Sequence, residues 1–346
     1  PVFAGKVTPK NSMIMLIALI LGLAIPAGIL FLLEFFRYKI EGHNDVAKLT
    51  NLPIIADVAI ASERAKTKAD IVVHENKNNL MEEIFRSLRT NLQFLLKQHD
   101  KVIMFTSTIS GEGKTFIASN VAISFALLGK KVVLVGLDIR KPRLAELFEI
   151  DNYNHGITNL LVKDEVNWNN VKEQITPSGI NDNLDILMAG PVPPNPGELV
   201  TRESLEQTIE HLKEHYDYIL LDTAPVGLVT DTLALGRISN ATVYVCRADF
   251  TQKASFGLIN SLSMEKKLPN MSIVLNGVDL SKKKYGYYYG YGKYGKYGKY
   301  GNYGMYGSKG KYGYKSYGYG SYGSYGSYGN YSKSHYGDIN DDSVKK

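Results

Sequence analysis

The chain has 346 residues, a formal net charge of +6, 21% charged residues and one cysteine. That length suits one α/β domain of roughly 200 to 250 residues with appendages, and the lone Cys246, inside the apolar run Ala241 to Cys246, excludes a disulfide framework and fits a buried thiol in a reducing compartment. From Lys282 onward there are 12 Lys and 3 Asp, a balance of +9, so the residues before it carry −3; the basic balance belongs to the tail and does not report a globular nucleic-acid-binding face.

The chain opens at Pro1 rather than Met, as expected of a fragment or a processed product. Residues 1–12 are short and polar, the expected end of an extracytoplasmic segment. Met13 to Phe36 is then apolar except for Glu34. As a helix it would measure about 36 Å, against a hydrocarbon core of roughly 30 Å. It is longer than a signal peptide and apolar all round, so it reads as a transmembrane helix kinked at Pro26. Basic residues flank both sides and leave orientation open.

Residues 37–79 read as a juxtamembrane connector whose role is mainly reach, with one apolar run, Leu52 to Ile60. Leu80 to Leu96 is an amphipathic helix that carries Glu83, Arg86 and Arg89 on one stripe. On spacing alone a solvated helix face with one internal ion pair is the preferred reading.

Thr106 to Thr115, TSTISGEGKT, lies between an apolar run, Val102 to Phe105, and an alternating pattern, Phe116 to Leu128, closed by Gly129. Strand, glycine turn and helix start are the context in which a Walker A string has a mechanism. Amides of Gly111 to Thr115 can wrap the β-phosphate of ATP at the positive end of the helix, Lys114 can reach the β- and γ-oxygens, and the Thr115 hydroxyl faces Mg²⁺. The expected nucleotide-binding stretch is Ser110, Gly111, Glu112, Gly113, Lys114, Thr115 and Phe116. Thr108 stands where the full pattern asks for glycine.

Lys131 to Asp138 is a second buried strand that delivers Asp138 to the carboxyl edge of a sheet, where α/β ligands bind, with Arg140 just beyond. Leu184 to Met188 is a third strand, followed by a loop of fixed shape, Gly190 to Gly197, and a capped helix, Arg202 to His215. Tyr218 to Pro225 is a fourth strand and a Walker B pattern, with Asp222 able to bind Mg²⁺ directly or through water. Ala241 to Cys246 and Met271 to Leu275 complete the set, and Asn276 stands where an amide could read the base. Strands alternating with helices predict an α/β fold: a P-loop NTPase-type parallel sheet over 80–281 with helices on both faces.

Residues 282–346 change character. Tyr-Gly-Lys and Tyr-Gly-Ser repeats leave no aliphatic residue but Met305 over most of the segment, so no core can form and a disordered tail is expected. It holds 19 of the 24 tyrosines, Tyr285, Tyr287, Tyr288, Tyr289, Tyr291, Tyr294, Tyr297, Tyr300, Tyr303, Tyr306, Tyr312, Tyr314, Tyr317, Tyr319, Tyr322, Tyr325, Tyr328, Tyr331 and Tyr336, which no packing is expected to hold.

The ordered set of Ser110 to Thr115, Val132 to Arg140, Ile219 to Pro225, an upstream membrane helix, the Glu83-x-x-Arg86-x-x-Arg89 helix and a tyrosine tail resembles a bacterial protein-tyrosine kinase (BY-kinase) of the capsular or exopolysaccharide co-polymerase type. The resemblance covers essentially the whole chain. It implies one ATP·Mg²⁺ site with Lys114, Asp138, Arg140 and Asp222 catalytic and Thr115, Asp138 and Asp222 at the metal. It also implies a homo-oligomeric ring joined through Glu83, Arg86 and Arg89, and tail tyrosines phosphorylated between subunits. A polysaccharide polymerisation and export machinery and a cognate tyrosine phosphatase are the implied partners, and the bacterial inner membrane, with kinase domain and tail cytosolic, the implied place. Asp138, oriented by Arg140, is the preferred base for the tyrosine proton, though the sequence leaves Asp138 and Asp222 interchangeable. The family's first Walker A′ acid is replaced by Gly136, and the resemblance implies a periplasmic domain ahead of Pro1. A MinD/ParA-like ATPase is disfavoured by Ile109, which stands where that group carries a signature lysine. A non-enzymatic nucleotide-dependent scaffold and a nucleic-acid binder using stacked tyrosines are the other readings.

Overall fold

The computed structural model describes residues 11–35, 38–62, 71–75, 79–150, 154–280 and 343–344. Apolar runs bounded by polar turns become strands: β1 (Ile54–Ala59), β2 (Val102–Ser107), β3 (Val132–Leu137), β4 (Ile175–Pro177), β5 (Leu184–Leu187), β6 (Tyr218–Thr223), β7 (Ala241–Arg247) and β8 (Met271–Val278). They form one sheet in the order β1-β8-β7-β2-β6-β3-β5-β4. All neighbours are parallel except β4 and β5. β2 and β3 are buried at every position, as expected of strands covered on both faces.

The helices are α1 (Asn11–Phe35), α2 (His43–Leu49), α3 (Leu80–Leu95), α4 (Lys114–Ala126), α5 (Leu144–Leu147), α6 (Ile157–Leu161), α7 (Trp168–Gln174), α8 (Pro196–Leu199), α9 (Glu203–His215), α10 (Asp231–Ala234) and α11 (Ser255–Met264). Two apolar clusters fill the layers. One joins the sheet to α3 and α4 through Phe85, Leu88, Ile117 and Phe125. The other joins it to α2, α6, α9 and α11 through Val46, Leu160, Ile209 and Ile259. α3 begins as a capped amphipathic helix should, with Asn79 Oδ1 accepting from Glu82 N at 2.9 Å. α4 stops where Gly129 enters the left-handed region at φ 77°. At α9 the expected cap is missing: Arg202 makes no side-chain cap and its guanidinium instead reaches Asp164 at 2.8 Å.

The segment expected to be a connector is part of the fold. Ile54–Ala59 adds β1 to the sheet edge beside β8, and Ile40, Val46, Ile71, Val72 and Val73 are buried. The physical reason is that the run around Leu52 to Ile60 can bury its apolar side chains only by extending an open edge. Residues 38–40 also pair with the loop after β7: Asp249 N donates to Ile40 O at 2.7 Å, Ile40 N to Thr251 O at 3.0 Å and Lys253 N to Tyr38 O at 2.8 Å.

α1 runs 25 residues without a break through Pro26, and its placed side chains, Met13 to Ile29, are exposed. Those 17 residues make about 26 Å of helix. Among the described residues no helix is long and apolar enough to cross a membrane. The tail tyrosines, Tyr285 to Tyr336, lie outside the described residues.

Candidate active site

Parallel strands put their carboxyl ends on one edge of the sheet, and β6 sits between β2 and β3 there. Register sets Asp222 opposite both Phe105 of β2 and Gly136 of β3. The Walker B acid is thereby lodged between the P-loop strand and the strand that delivers Asp138. Asp222 Oδ2 accepts from the Thr115 hydroxyl at 2.8 Å, and Asp138 N donates to Asp222 O at 3.0 Å. Lys114 is buried at the first turn of α4. Burial pushes the Asp222 carboxyl up to about 6; Lys114 and the Thr115 hydrogen bond oppose the shift and the charge of Asp138 adds to it. Asp222 Oδ1 is buried with no hydrogen-bond partner among the described residues.

The P-loop is held from below. Glu112 is fully buried; its carboxylate accepts from Ile109 N at 2.8 Å and from the Thr251 hydroxyl. Burial raises its pKa, and the Thr251 and Ile109 hydrogen bonds oppose that shift. Gly113 has φ 96°, and a Cβ there would lie 2.1 Å from Asn276 Nδ2, so only glycine fits. Asn276 Nδ2 donates to Glu112 O at 3.0 Å. Thr108 shares a 2.9 Å hydrogen bond with the buried Tyr244 hydroxyl, so a side chain, not a glycine turn, fixes the start of the loop.

These contacts sort the expected nucleotide-binding residues. Ser110 and Gly111 are exposed at the loop tip, and Gly113, Lys114 and Thr115 line its mouth. The Glu112 side chain points into the fold, which leaves only its backbone amide for a phosphate. The Phe116 ring meets Phe85 edge-on at 5.9 Å and is a packing residue between α4 and α3. Asn276 buttresses the loop with its amide nitrogen.

Two expectations change. Arg140 does not orient Asp138; its Nε donates to Asp231 Oδ2 at 3.0 Å and its Nη2 bonds the same oxygen, because the turn after β3 directs it toward α10. Asp138 is instead fixed by Lys141 N, which donates to its Oδ1 at 3.1 Å. The stripe on α3 is also split. Arg86 is half-exposed, 3.6 Å from Glu83 and 3.5 Å from the buried Glu82, whereas Arg89 turns inward and donates to Ser124 O at 2.6 Å.

Gly136, where a second acid was expected, is explained by the neighbouring strand. A Cβ there would lie 3.1 Å from Ala189 N and 3.2 Å from Leu144 Cδ1. Beside it a small cavity of about 40 Å³ is lined by Asp138, Arg143, Leu144, Met188, Ala189 and Asp222. It has room for a few waters.

Arg247 was not foreseen. Its Nη1 donates to Gly111 O at 2.9 Å and its guanidinium lies 5.3 Å from the Phe250 ring, which puts a partly stacked cation against the loop tip. The signal was available: Arg247 follows the buried run Ala241 to Cys246, as Asp138 and Asp222 follow theirs.

The arrangement can bind a triphosphate at the start of α4 and hold a divalent cation beside Thr115 and Asp222. Residues 100–273 match the AAA domain family. The chain is 31% identical over 231 residues to a putative tyrosine-protein kinase, CapB, of Staphylococcus aureus, across 66% of this chain and 99% of that protein. It is 27% identical over 303 residues to the tyrosine-protein kinase etk of Escherichia coli K12, across 82% of this chain and 40% of that protein. Among solved structures, the kinase domain of Escherichia coli tyrosine kinase ETK superposes with a TM-score of 0.57 at 27% identity, covering 69% of this chain and 95% of that one. With a Walker A loop, an acid from β3 and a Walker B acid gathered at one sheet edge, the chain belongs to the bacterial protein-tyrosine kinase (BY-kinase) family.

Proposed function

We propose that this protein is an ATP-dependent, non-specific protein-tyrosine kinase that phosphorylates its own C-terminal tyrosine cluster between subunits of a ring. The observation that carries the reading is Asp222, which offers one buried oxygen without a partner among the described residues while the other holds the Thr115 hydroxyl. Magnesium commonly takes one or two carboxylates and completes its shell with waters and substrate phosphates, and Thr115, Asp222 and the nearby Asp138 fit that pattern. When bound, Mg²⁺ supplies neutralisation of charge on the β- and γ-oxygens. Lys114 and the loop amides hold the same oxygens. The attacking tyrosine oxygen forms a bond to the γ-phosphorus as the bond to the β–γ bridging oxygen breaks and ADP leaves. The phenol proton goes to a carboxylate. Asp138 suits that role better than Asp222, being half-exposed at the mouth while Asp222 is buried behind Thr115.

The kinase reading extends to the cell. The run Met13 to Phe36, apolar in sequence except for Glu34, supports a membrane anchor, with the catalytic domain and tail on the cytosolic side of a bacterial inner membrane. Capsule or exopolysaccharide polymerisation and export is the process it would regulate, opposed by a tyrosine phosphatase. Lys114→Met removes the buried charge and keeps the loop glycines. Incubated with labelled ATP and Mg²⁺, that variant should lose at least about a hundredfold of tail phosphotyrosine, the scale of a principal electrostatic contact. Undiminished phosphotyrosine would sink the site.

A further inference from the structure

Far beyond β8 in sequence, two residues are placed back on the body of the fold. Val344 is 3% exposed and belongs to the apolar cluster of Ala61, Ile71, Leu80 and Met81. It forms an antiparallel bridge with Ala61. Ser343 O accepts from Ser62 N at 3.0 Å, and Ser343 Oγ accepts from Met81 N at 3.3 Å. Met81 is the second residue of α3, so the Ser343 hydroxyl satisfies one of the amides that a helix start leaves open, beside the cap that Asn79 supplies. Backbone pairing, an apolar anchor and a hydroxyl on a helix start together make a docking contact for this segment.

We propose that Ser343-Val344 is a latch that docks in its own subunit, between the strand end at Ala61 and the first turn of α3, and decides how far each tail tyrosine can travel. Residues 281–342 are then bracketed by Leu280 and Ser343, both held on the fold. A chain covers at most about 3.4 Å per residue, so a residue tethered at both ends is confined by the shorter path. Tyr336 is 7 residues from Ser343 and stays within about 24 Å of it while the latch is closed. Once the latch opens, its nearest tether is Leu280, 56 residues away, and the limit grows to about 190 Å. Tyr312 lies 31 residues from Ser343 and 32 from Leu280, so its limit, about 105 Å, barely changes. The latch therefore shortens the chain-length limit of the last tyrosines and leaves that of the central ones almost unchanged. It closes on the helix that carries Glu83 and Arg86, so a neighbour docking against α3 meets it at the same helix.

The docking is independent of catalysis; the consequence for the tyrosines rests on the kinase reading. Residues facing one another in an antiparallel pair have Cα atoms about 4.5 to 5.5 Å apart, within disulfide range. The Ala61→Cys, Val344→Cys double variant of the full chain, oxidised gently, should crosslink within one chain, read as a linked peptide at monomer mass. The native Cys246 is buried and the single variants serve as controls. Crosslinks only between chains, or none, overturn the latch whether or not the protein is a kinase. Separately, Val344→Asp should raise phosphate on Tyr336 relative to Tyr312 at least threefold by mass spectrometry, with turnover on an added tyrosine peptide unchanged. An unchanged or lowered ratio overturns the restraint. Absence of all tail phosphate, with the intrachain crosslink formed, sinks the kinase reading alone.

Discussion

Asp222 carries the largest consequence at a single position. Its pKa is raised to about 6 chiefly by burial, against about 3.9 for an aspartate in an unfolded chain. The folded state therefore holds the proton more tightly. The stability this contributes is fully present below about pH 4 and is lost as pH rises through about 6, a swing of about 3 kcal/mol over that window. In nucleotide-free, magnesium-free protein, urea unfolding of the parent should gain about 2 kcal/mol of that on Asp222→Asn between pH 7.5 and 4.5. A constant difference between the two proteins across that range would show that Asp222 titrates normally. Gly136 makes the complementary case, a residue defined by what cannot be there. Gly136→Asp would restore the expected second acid, but its Cβ would press on the backbone nitrogen of Ala189 at 3.1 Å. Crowding of that kind costs about 1 to 3 kcal/mol, and the urea midpoint should fall accordingly. An unchanged midpoint would mean that the end of β5 gives way.

The helix α3 presents two different faces. Glu83 and Arg86 form a half-exposed pair, of a kind worth about 0 to 1 kcal/mol, so Glu83→Ala with Arg86→Ala should cost thermal stability mainly through the lost contact of Arg86 with the buried Glu82 and should shift assemblies to smaller mass in sedimentation. Arg89 donates to Ser124 O on α4 at 2.6 Å, and burial lowers its pKa, with Arg86 adding to that and Glu83 opposing it. Hydrogen bonds from charged donors are worth about 1.5 to 3 kcal/mol, so Arg89→Ala should destabilise the fold by up to about that amount. If the Glu83, Arg86 variant assembles as the parent does while Arg89→Ala alone dissociates, the interface reading fails and the effect travels through α4.

For the whole molecule, charge is divided between a tail of +9 and a remainder of −3. Each phosphotyrosine adds about −1.5 to −2 at neutral pH, so roughly five cancel the tail and more make it anionic. Assembly should then weaken on phosphorylation, most at low salt, since exposed charges are screened beyond about 8 Å at physiological ionic strength. Light scattering before and after phosphatase treatment, at two salt concentrations, reads this directly for the full chain and for one ending at Ser281. Equal assembly of the phosphorylated and dephosphorylated full chain at low salt would sink it, as would a phosphorylation-dependent change in the shortened chain.

By itself the sequence determined the order of buried strands, the P-loop between β2 and α4, and the two acids that end β3 and β6. Each is a local pattern: a continuous apolar run, a glycine turn, a carboxylate at a strand end. It could not say that residues 54–59 close the sheet edge beside β8, because a six-residue apolar run reads alike as spacer or strand until an open edge is known to await it. Nor could it give the direction of a long side chain. Arg140 meets Asp231 from 91 residues away, Arg89 meets Ser124 from 35, and Thr251 meets Glu112 from 139. Spacing along the chain constrains none of these pairs; the first and third exist because the sheet order sets the end of β3 near that of β6 and the end of β7 beside that of β2, the second because α3 packs on α4, and buried polar groups must find partners there.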